Sequence, residues 1–390
     1  MKDVVIVSAV RTPIGKFLGG LSKVSAVDLG VVAVKEAMDR AGIKPEQVED
    51  VTAGMVYKAG AKGNPARQVS IKVGIPSSAG ATTVDQQCAS AMRAFEVASQ
   101  QIMLGKYDIS VAFGIESMSN VPHMLLGSRN GYRMGDTKVV DGLTYDALVC
   151  AIYGKHMGFT AQNLADKYNI TREEQDELAA LSHARAVAAQ KEGKFDKEIV
   201  PVTIEGRKGN TVVDKDECPN EATTVEVLGK LKAVFGDTVT AGNASSINDG
   251  AAAVVLMSEE KAKELGIKPI AKIRATASAG VDPEIMGIGP VEAIPKALKF
   301  AGLTLDEIDY FEINEAFAAQ FLACNRELNL PMEKVNANGS GISLGHPVGC
   351  TGIRIIVSLL HEMERRGSKY GCASLCVGGG PAMATIVEMM

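Results

Sequence analysis

Two distant stretches of the chain read alike. Ala33–Val51 (AVKEAMDRAGIKPEQVEDV) and Ala293–Phe311 (AIPKALKFAGLTLDEIDYF) each give an amphipathic helix, an Ala-Gly stop, a short second helix opened by an acidic segment, and a strand. Ala41-Gly42-Ile43 falls on Ala301-Gly302-Leu303. In each copy the glycine ends the helix, because a residue without Cβ takes the left-handed conformation that such a stop requires. The repeat continues. The strand-like TTVDQQ runs into Cys88 and an apolar helix through Phe95 to Met103, while VNANGSGISLG runs into His346 and a helix from Gly352 to Met363. Buried-strand patterns follow both: Ile109–Gly114 (ISVAFG), and Ala373–Val377 (ASLCV) with AMATIVEM almost directly behind it. In the first copy the matching last strand, Ala251–Met257 (AAAVVLM), arrives only after a long insertion.

A repeat of this size predicts duplication of a supersecondary unit. The chain is read as α/β: two similar halves, each a mixed sheet flanked by helices in layers, because continuous apolar runs joined by helices bury both sheet faces. The expected divisions are 1–117 with 250–268 for the first half, 118–249 for a loop-rich insertion, and 269–390 for the second half. Within the insertion, helices are predicted near Thr160–Tyr168 and over Thr171–Glu192, the second opened by the capping pattern Thr171-Arg-Glu-Glu174. A chain of 390 residues exceeds one ordinary core, which agrees with this division. Hydrophobic residues at 46%, charged residues at 22% and a net charge of -5 suit a soluble globular protein and give no basic stripe for nucleic acid. The first residues read as a strand rather than a signal peptide, and no run approaches the roughly eighteen apolar residues of a membrane span. A cytoplasmic protein is expected. The seven Cys form no CxxC pair, so neither a zinc site nor a secreted disulfide framework is indicated.

Cys88 and His346 occupy matching turns of the two copies. Cys88 lies where a strand gives way to a helix beginning near Ala89, and the dipole and free N–H groups of a helix start favour a thiolate, the competent nucleophile. A lone intracellular Cys is equally a small core residue. His346, in Gly-His-Pro-Val-Gly, can take a thiol proton if the pseudo-twofold relation brings it to Cys88, or can simply fix its own turn. Cys376 ends a strand before Val377-Gly378-Gly379-Gly380, where backbone N–H groups can converge on an oxygen or merely make a tight turn. Asn314, in Asn-Glu-Ala-Phe, places an amide at a strand end or caps a helix.

Taken together, VSAVRTPIGKF, Cys88-Ala89-Ser90, HMG at 156–158, TAGNAS at 240–245, NEAF at 314–317, GHPVGCTG at 345–352 and CVGGG at 376–380 resemble the motifs of the thiolase family, in family order over essentially the whole chain. The resemblance implies acyl transfer between coenzyme A thioesters, with the interconversion of two acetyl-CoA and acetoacetyl-CoA plus CoA as the leading reaction. It implies that Cys88 is acylated, that His346 activates it, and that Cys376 exchanges the substrate α-proton or protonates the leaving thiol. Asn314, through a water, would complete one oxyanion hole with His346, and the N–H groups of Cys88 and Gly378 would form another. The insertion resembles the family's CoA-binding loop domain, with Leu148, His156, Met157, Phe235, Ala241 and Ser245 at pantetheine-contacting positions and Met286 and Ala316 bordering the thioester. CoA thioesters are then substrates, no cofactor or metal is implied, and a homotetramer or dimer is expected.

Four positions depart from the family pattern. Asp85 replaces the usual Asn near the nucleophile, where a carboxylate raises a thiol pKa unless it points away and is hydrogen-bonded. Ala91 and Pro381 stand where Gly and Met are common, and Asn220 where short-chain members carry an Arg on the nucleotide, which implies either a weaker adenine contact or its replacement by another basic side chain such as Lys208 or Lys215. The alternatives are a 3-ketoacyl-CoA thiolase of broader chain length and a catalytically silent CoA-binding homologue. A ketoacyl synthase is disfavoured by the Cys376-Gly-rich end.

Overall fold

The repeated glycines end their helices as the pattern predicts. In the computed structural model, which describes residues 1–390, Ala26–Ala41 stops at Gly42 with φ 68° and Pro290–Ala301 stops at Gly302 with φ 70°. Each is followed by one 3-10 turn, Pro45–Gln47 or Leu305–Glu307, and then by a strand, Asp50–Gly54 or Tyr310–Ile313. The helices behind the two chemical turns are Ser90–Met103 and Thr351–Arg366.

The strands carry the duplication further than the sequence shows. From one edge the order is Tyr310–Ile313, Tyr370–Cys376, Pro381–Met389, Ala271–Gly280, Val4–Arg11, Asn248–Ser258, Ile109–Ser117, Asp50–Gly54 and Gly80–Val84. Tyr310–Ile313 runs parallel to Tyr370–Cys376, as Asp50–Gly54 does to Ile109–Ser117, and the inner pairs of both halves are antiparallel. Gly80–Val84 has its counterpart in a single parallel bridge between Phe311 and Val335. Where the sequence predicts one mixed sheet per half, the halves meet through Val5–Lys272 and Ile6–Ala271 in one ten-stranded sheet, with Gly15–Lys16 added beside Asn248. That junction involves the opening strand of each half, and no local pattern announces it.

Alternation along Val4–Arg11 divides the interior, since successive side chains of a strand face opposite ways, and a register shift between Ile6 and Ser8 exchanges the two faces beyond it. Val5, Val7 and Val10 join the core under the Ala26–Ala41 helix, while Val4, Ile6 and Ala9 face the helices Ser90–Met103 and Thr351–Arg366. Those two helices pack against each other in the middle of the molecule. Gly352 permits the contact: a Cβ there would lie 2.4 Å from the backbone nitrogen of Met92. Every residue from Thr351 to Leu360 is buried, most of them apolar, with Thr351, Arg354 and Ser358 the polar exceptions. The insertion supplies helices Met157–Tyr168 and Arg172–Lys191, the second opened by the reciprocal Thr171–Glu174 box. It is anchored to the first strand by fully buried Arg11, which pairs with Asp216 at 2.7 and 2.9 Å and with Glu198 at 2.7 Å. No helix is long and apolar enough to cross a membrane.

Candidate active site

Cys88 occupies the turn between Gly80–Val84 and Ser90–Met103. The residue before it, Gln87, is held at φ 47°. This left-handed conformation is uncommon for a residue with a side chain, and the turn sustains it locally: Asp85 Oδ1 accepts from Gln87 N–H at 3.0 Å, and Ser90 Oγ accepts from Gln86 N–H at 2.9 Å while donating to Gln87 C=O at 2.7 Å. The result points the thiol into a pocket of about 550 Å³. The backbone N–H groups of Gly378 and of Cys88 itself face the sulfur and favour its charged form. The helix start does not win, however. Burial pushes the thiol up to about 11, so the resting nucleophile is a thiol that needs a base.

Asp85 does not face that thiol. Its other oxygen pairs with Lys58 Nζ at 2.6 Å, and its charge stands last among the influences on Cys88. Ala91 is accommodated by two glycines: its methyl fits against Gly114, where a Cβ would meet it at 2.5 Å, and its backbone nitrogen against Gly54, where a Cβ would lie 2.2 Å away. Neither Ala91 nor Pro381 lines the pocket.

His346 lies on the pocket wall, nine-tenths or more buried, in the turn before Thr351–Arg366. Its backbone N–H donates to Asn248 Oδ1 at 2.8 Å, its Nδ1 lies 2.6 Å from Thr351 Oγ1, and its Nε2 has no partner within the protein. Burial, with the Arg354 guanidinium adding to it, pushes the imidazole down to about 3. It is neutral at physiological pH and able to accept a proton. Next to this turn, Gly349 N–H donates to Glu116 at 2.8 Å, and the same carboxylate accepts from Val56 and Tyr57.

The structure brings the remaining predicted residues to the same place. Leu148, His156, Met157, Phe235, Ala241, Ser245, Met286, Ala316 and Gly378 all line the pocket. His156 and Phe235 stack at 4.2 Å with an interplanar angle of 8°, forming one flat wall. Cys376 and Asn314 stand behind the lining, both fully buried. Cys376 shares an apolar cluster with Met157, Met286 and Ala316; burial, and then the neighbouring Cys88, hold its thiol well above the usual range. Asn314 caps no helix, since the following helix starts at Ala318 with Phe317 as its cap. Both ends of its amide are buried without a protein partner.

Sequence reasoning missed Asn248, Glu116, Gln87, Val348, Phe317 and Thr351. Asn248 and Glu116 are brought in by contacts distant in sequence, whereas Val348 and Thr351 lie inside GHPVGCTG, Phe317 inside NEAF and Gln87 inside TTVDQQ, so a local signal was present at those four. Lys208 and Lys215 line neither the pocket nor the adjoining groove of about 560 Å³ that contains Asn220; Lys16 lines both.

The family model described as "Thiolase, N-terminal domain" matches residues 4–260 and "Thiolase, C-terminal domain" matches 267–389. Among curated relatives, the "Acetyl-CoA acetyltransferase" of Cupriavidus necator is 53% identical over the full length of both chains, and that of Escherichia coli 49% identical over the full length of both. Among solved structures, an acetyl-CoA acetyltransferase from Syntrophomonas wolfei superposes with a TM-score of 0.98 at 51% identity, each chain covered completely. Human mitochondrial 3-ketoacyl-CoA thiolase in complex with CoA gives 0.96 at 40% identity, covering 100% of this chain and 98% of that one.

Proposed function

The chain belongs to the thiolase family, and from that premise we propose that it is an acetyl-CoA C-acetyltransferase, interconverting two acetyl-CoA with acetoacetyl-CoA and CoA through an acyl group on Cys88. The observation that carries the reading is the meeting of a half-buried thiol, a neutral buried imidazole with a free nitrogen, and two inward backbone N–H groups in one pocket.

Each group has a task that its environment suits. His346 takes the Cys88 proton on Nε2 as the sulfur attacks the thioester carbon, and the carbon–sulfur bond to CoA breaks. Cys376, kept as a thiol by burial, gives its proton to the leaving CoA thiolate. Its own thiolate then removes the α-proton of an incoming acetyl-CoA, and the resulting carbanion attacks the acyl carbon and releases Cys88. The proton on His346 returns to that sulfur, so every group ends as it began. The N–H groups of Cys88 and Gly378 stabilise the acyl oxygen, and Asn314 with His346 stabilises the enolate oxygen, the kind of aimed donor that contributes most to such reactions. The flat wall of His156 and Phe235 and the apolar Leu148 side chain suit a pantetheine arm. Met157 and Met286 close the acyl end, which favours short acyl groups over the longer ones of a 3-ketoacyl-CoA thiolase.

The test is thiolysis of acetoacetyl-CoA by free CoA, run beside 3-ketoacyl-CoA substrates of increasing length. Release of acetyl-CoA with rates that fall as the chain lengthens is expected; no thiolysis of any of them would refute the reading. Cys376→Ser should still acylate Cys88 yet lose exchange of acetyl-CoA methyl protons with heavy water, followed by NMR on the substrate.

A further inference from the structure

We infer that Thr351 is a positioning residue that fixes His346 in the Nδ1–H tautomer and so leaves Nε2 bare to accept the Cys88 proton. The inference rests on the thiolase reading for its consequence, although not for its geometry.

The Thr351 hydroxyl lies 2.6 Å from His346 Nδ1 and 3.0 Å from Pro347 C=O. A hydroxyl owns one hydrogen. If that hydrogen goes to Pro347, the hydroxyl oxygen must accept from Nδ1–H, and both contacts are hydrogen bonds. If it goes to Nδ1 instead, Pro347 loses its hydroxyl partner and Nε2 becomes a buried donor with no acceptor in the protein. Nε2 lacks a protein partner in either arrangement, so what separates them is one hydrogen bond: the first keeps both contacts of the Thr351 hydroxyl as hydrogen bonds, the second only one. The tautomer of a histidine is set in this way by the bond its other nitrogen makes.

The ring has little freedom to do otherwise. His346 N–H is fixed on Asn248 Oδ1, whose carboxamide also accepts from Ser246 and donates to Gly15 C=O and Cys218 Sγ. Gly345 lies so close that a Cβ there would meet Asn248 at 2.5 Å. With the main chain held by Asn248 and the ring by Thr351, one hydrogen serves two steps: Nε2 takes it from the thiol and then offers it to the substrate oxygen. The opposite tautomer has no lone pair on Nε2, the ring nitrogen left without a protein partner in a residue that lines the same pocket as Cys88.

The fold should tolerate the test. Pro347 C=O also accepts from the backbone N–H groups of Cys350 and Thr351 at 2.9 and 3.0 Å, so Thr351→Val, equal in shape, deprives only His346 of a partner. Acylation of Cys88 by acetyl-CoA in a rapid-mix experiment should slow about ten- to a hundredfold in Thr351→Val, the range expected when a general base is mis-set, with the KM for CoA thioesters little changed. Thr351→Ser, which keeps the hydroxyl, should restore the rate to within about threefold of wild type. Histidine-selective 15N NMR of the resting wild-type protein, with the His346 signals assigned by their loss in His346→Gln, should show protonated Nδ1 and bare Nε2. Normal acylation in Thr351→Val, an equal defect in Thr351→Ser, or a resting Nε2–H would each overturn the inference. If wild type itself forms no acetyl adduct, the thiolase reading fails, while the NMR result still decides the tautomer.

Discussion

The turn that carries Cys88 and the turn that carries His346 open equivalent helices of a duplicated fold, yet they are held in different ways. Around Cys88 the supporting bonds run among Asp85, Gln86, Gln87 and Ser90, all within a few residues. Around His346 the ring is met locally by Thr351, but the main chain is held from far away: Asn248 holds the His346 N–H across a separation of 98 residues, and Glu116 holds the N–H of Gly349 across 233. The nucleophile is therefore shaped by its own segment, whereas the base is placed by the other half of the molecule. Long-range contacts cost more chain entropy to close than local ones, so the His346 turn should be the feature that depends on the halves being fully assembled.

The two turns are also buried to different ends. Burial raises the Cys88 thiol to about 11 and lowers the His346 imidazole to about 3, and both shifts favour the uncharged pair. Proton transfer between them must then be driven by the substrate's arrival, through the N–H groups that receive the developing charge. Removing either member tests this. Cys88→Ala should abolish the acetyl adduct in a peptic digest read by mass spectrometry and lower turnover on the order of a thousandfold or more. Acetyl found chiefly on Cys376 in the wild type would reassign the nucleophile. His346→Ala should slow acylation and condensation alike by about a hundredfold or more, because one imidazole serves thiol and oxygen. Normal single-turnover acylation in that variant would reduce His346 to a turn-shaping residue.

Asn248 is where the contrast can be broken from a distance. Asn248→Ala removes the acceptor of His346 N–H together with the bonds to Gly15, Ser246 and Cys218. A loss of about 2–4 kcal/mol in urea unfolding is expected from deleting a buried, fully bonded amide. Acylation should slow about tenfold as the ring drifts from line. A variant that is destabilised but acylates at the wild-type rate would show that the turn holds its shape without the other half.

The same contrast explains what the sequence made legible. Glycine stops, the Thr171–Glu174 box and the strand-to-helix position of Cys88 are written in consecutive residues, and they appear where the pattern puts them. Asn248 precedes an apolar strand and Glu116 ends one, so each reads as an ordinary polar flank until the sheet carries it under the His346 turn. The pairing of Val5 and Ile6 with Lys272 and Ala271 has no local mark at all. The balance at Cys88 is hidden for a related reason: a helix start is visible in sequence, but the burial that outweighs it is assembled from several segments.

The smallest expected effect lies at Asp85. If the Cys88 turn is sustained by its own segment, exchanging this carboxylate for the family's amide should leave the turn intact. Asparagine keeps an oxygen for the Gln87 N–H bond that supports the left-handed backbone, and it gives up only the pairing with Lys58, whose side chain and that of Asp85 are 43% and 40% exposed. Exposed pairs contribute about 0–1 kcal/mol, so the change in stability of Asp85→Asn should stay under about 1 kcal/mol. The electrostatic sign is fixed: removing a negative charge near a thiol favours the thiolate, so the pKa of Cys88 should fall and its alkylation by iodoacetamide should quicken at a given pH. The shift should be a fraction of a unit, because the Asp85 charge is screened and burial dominates the position near 11. Alkylation of wild type should climb about tenfold per pH unit between 7 and 10, as only the thiolate reacts, and the variant should follow a parallel line displaced slightly to lower pH. Slower alkylation in the variant, or a stability loss of several kcal/mol, would mean that Asp85 does more than support its turn through Gln87, and the division between a locally built nucleophile and a remotely placed base would no longer hold.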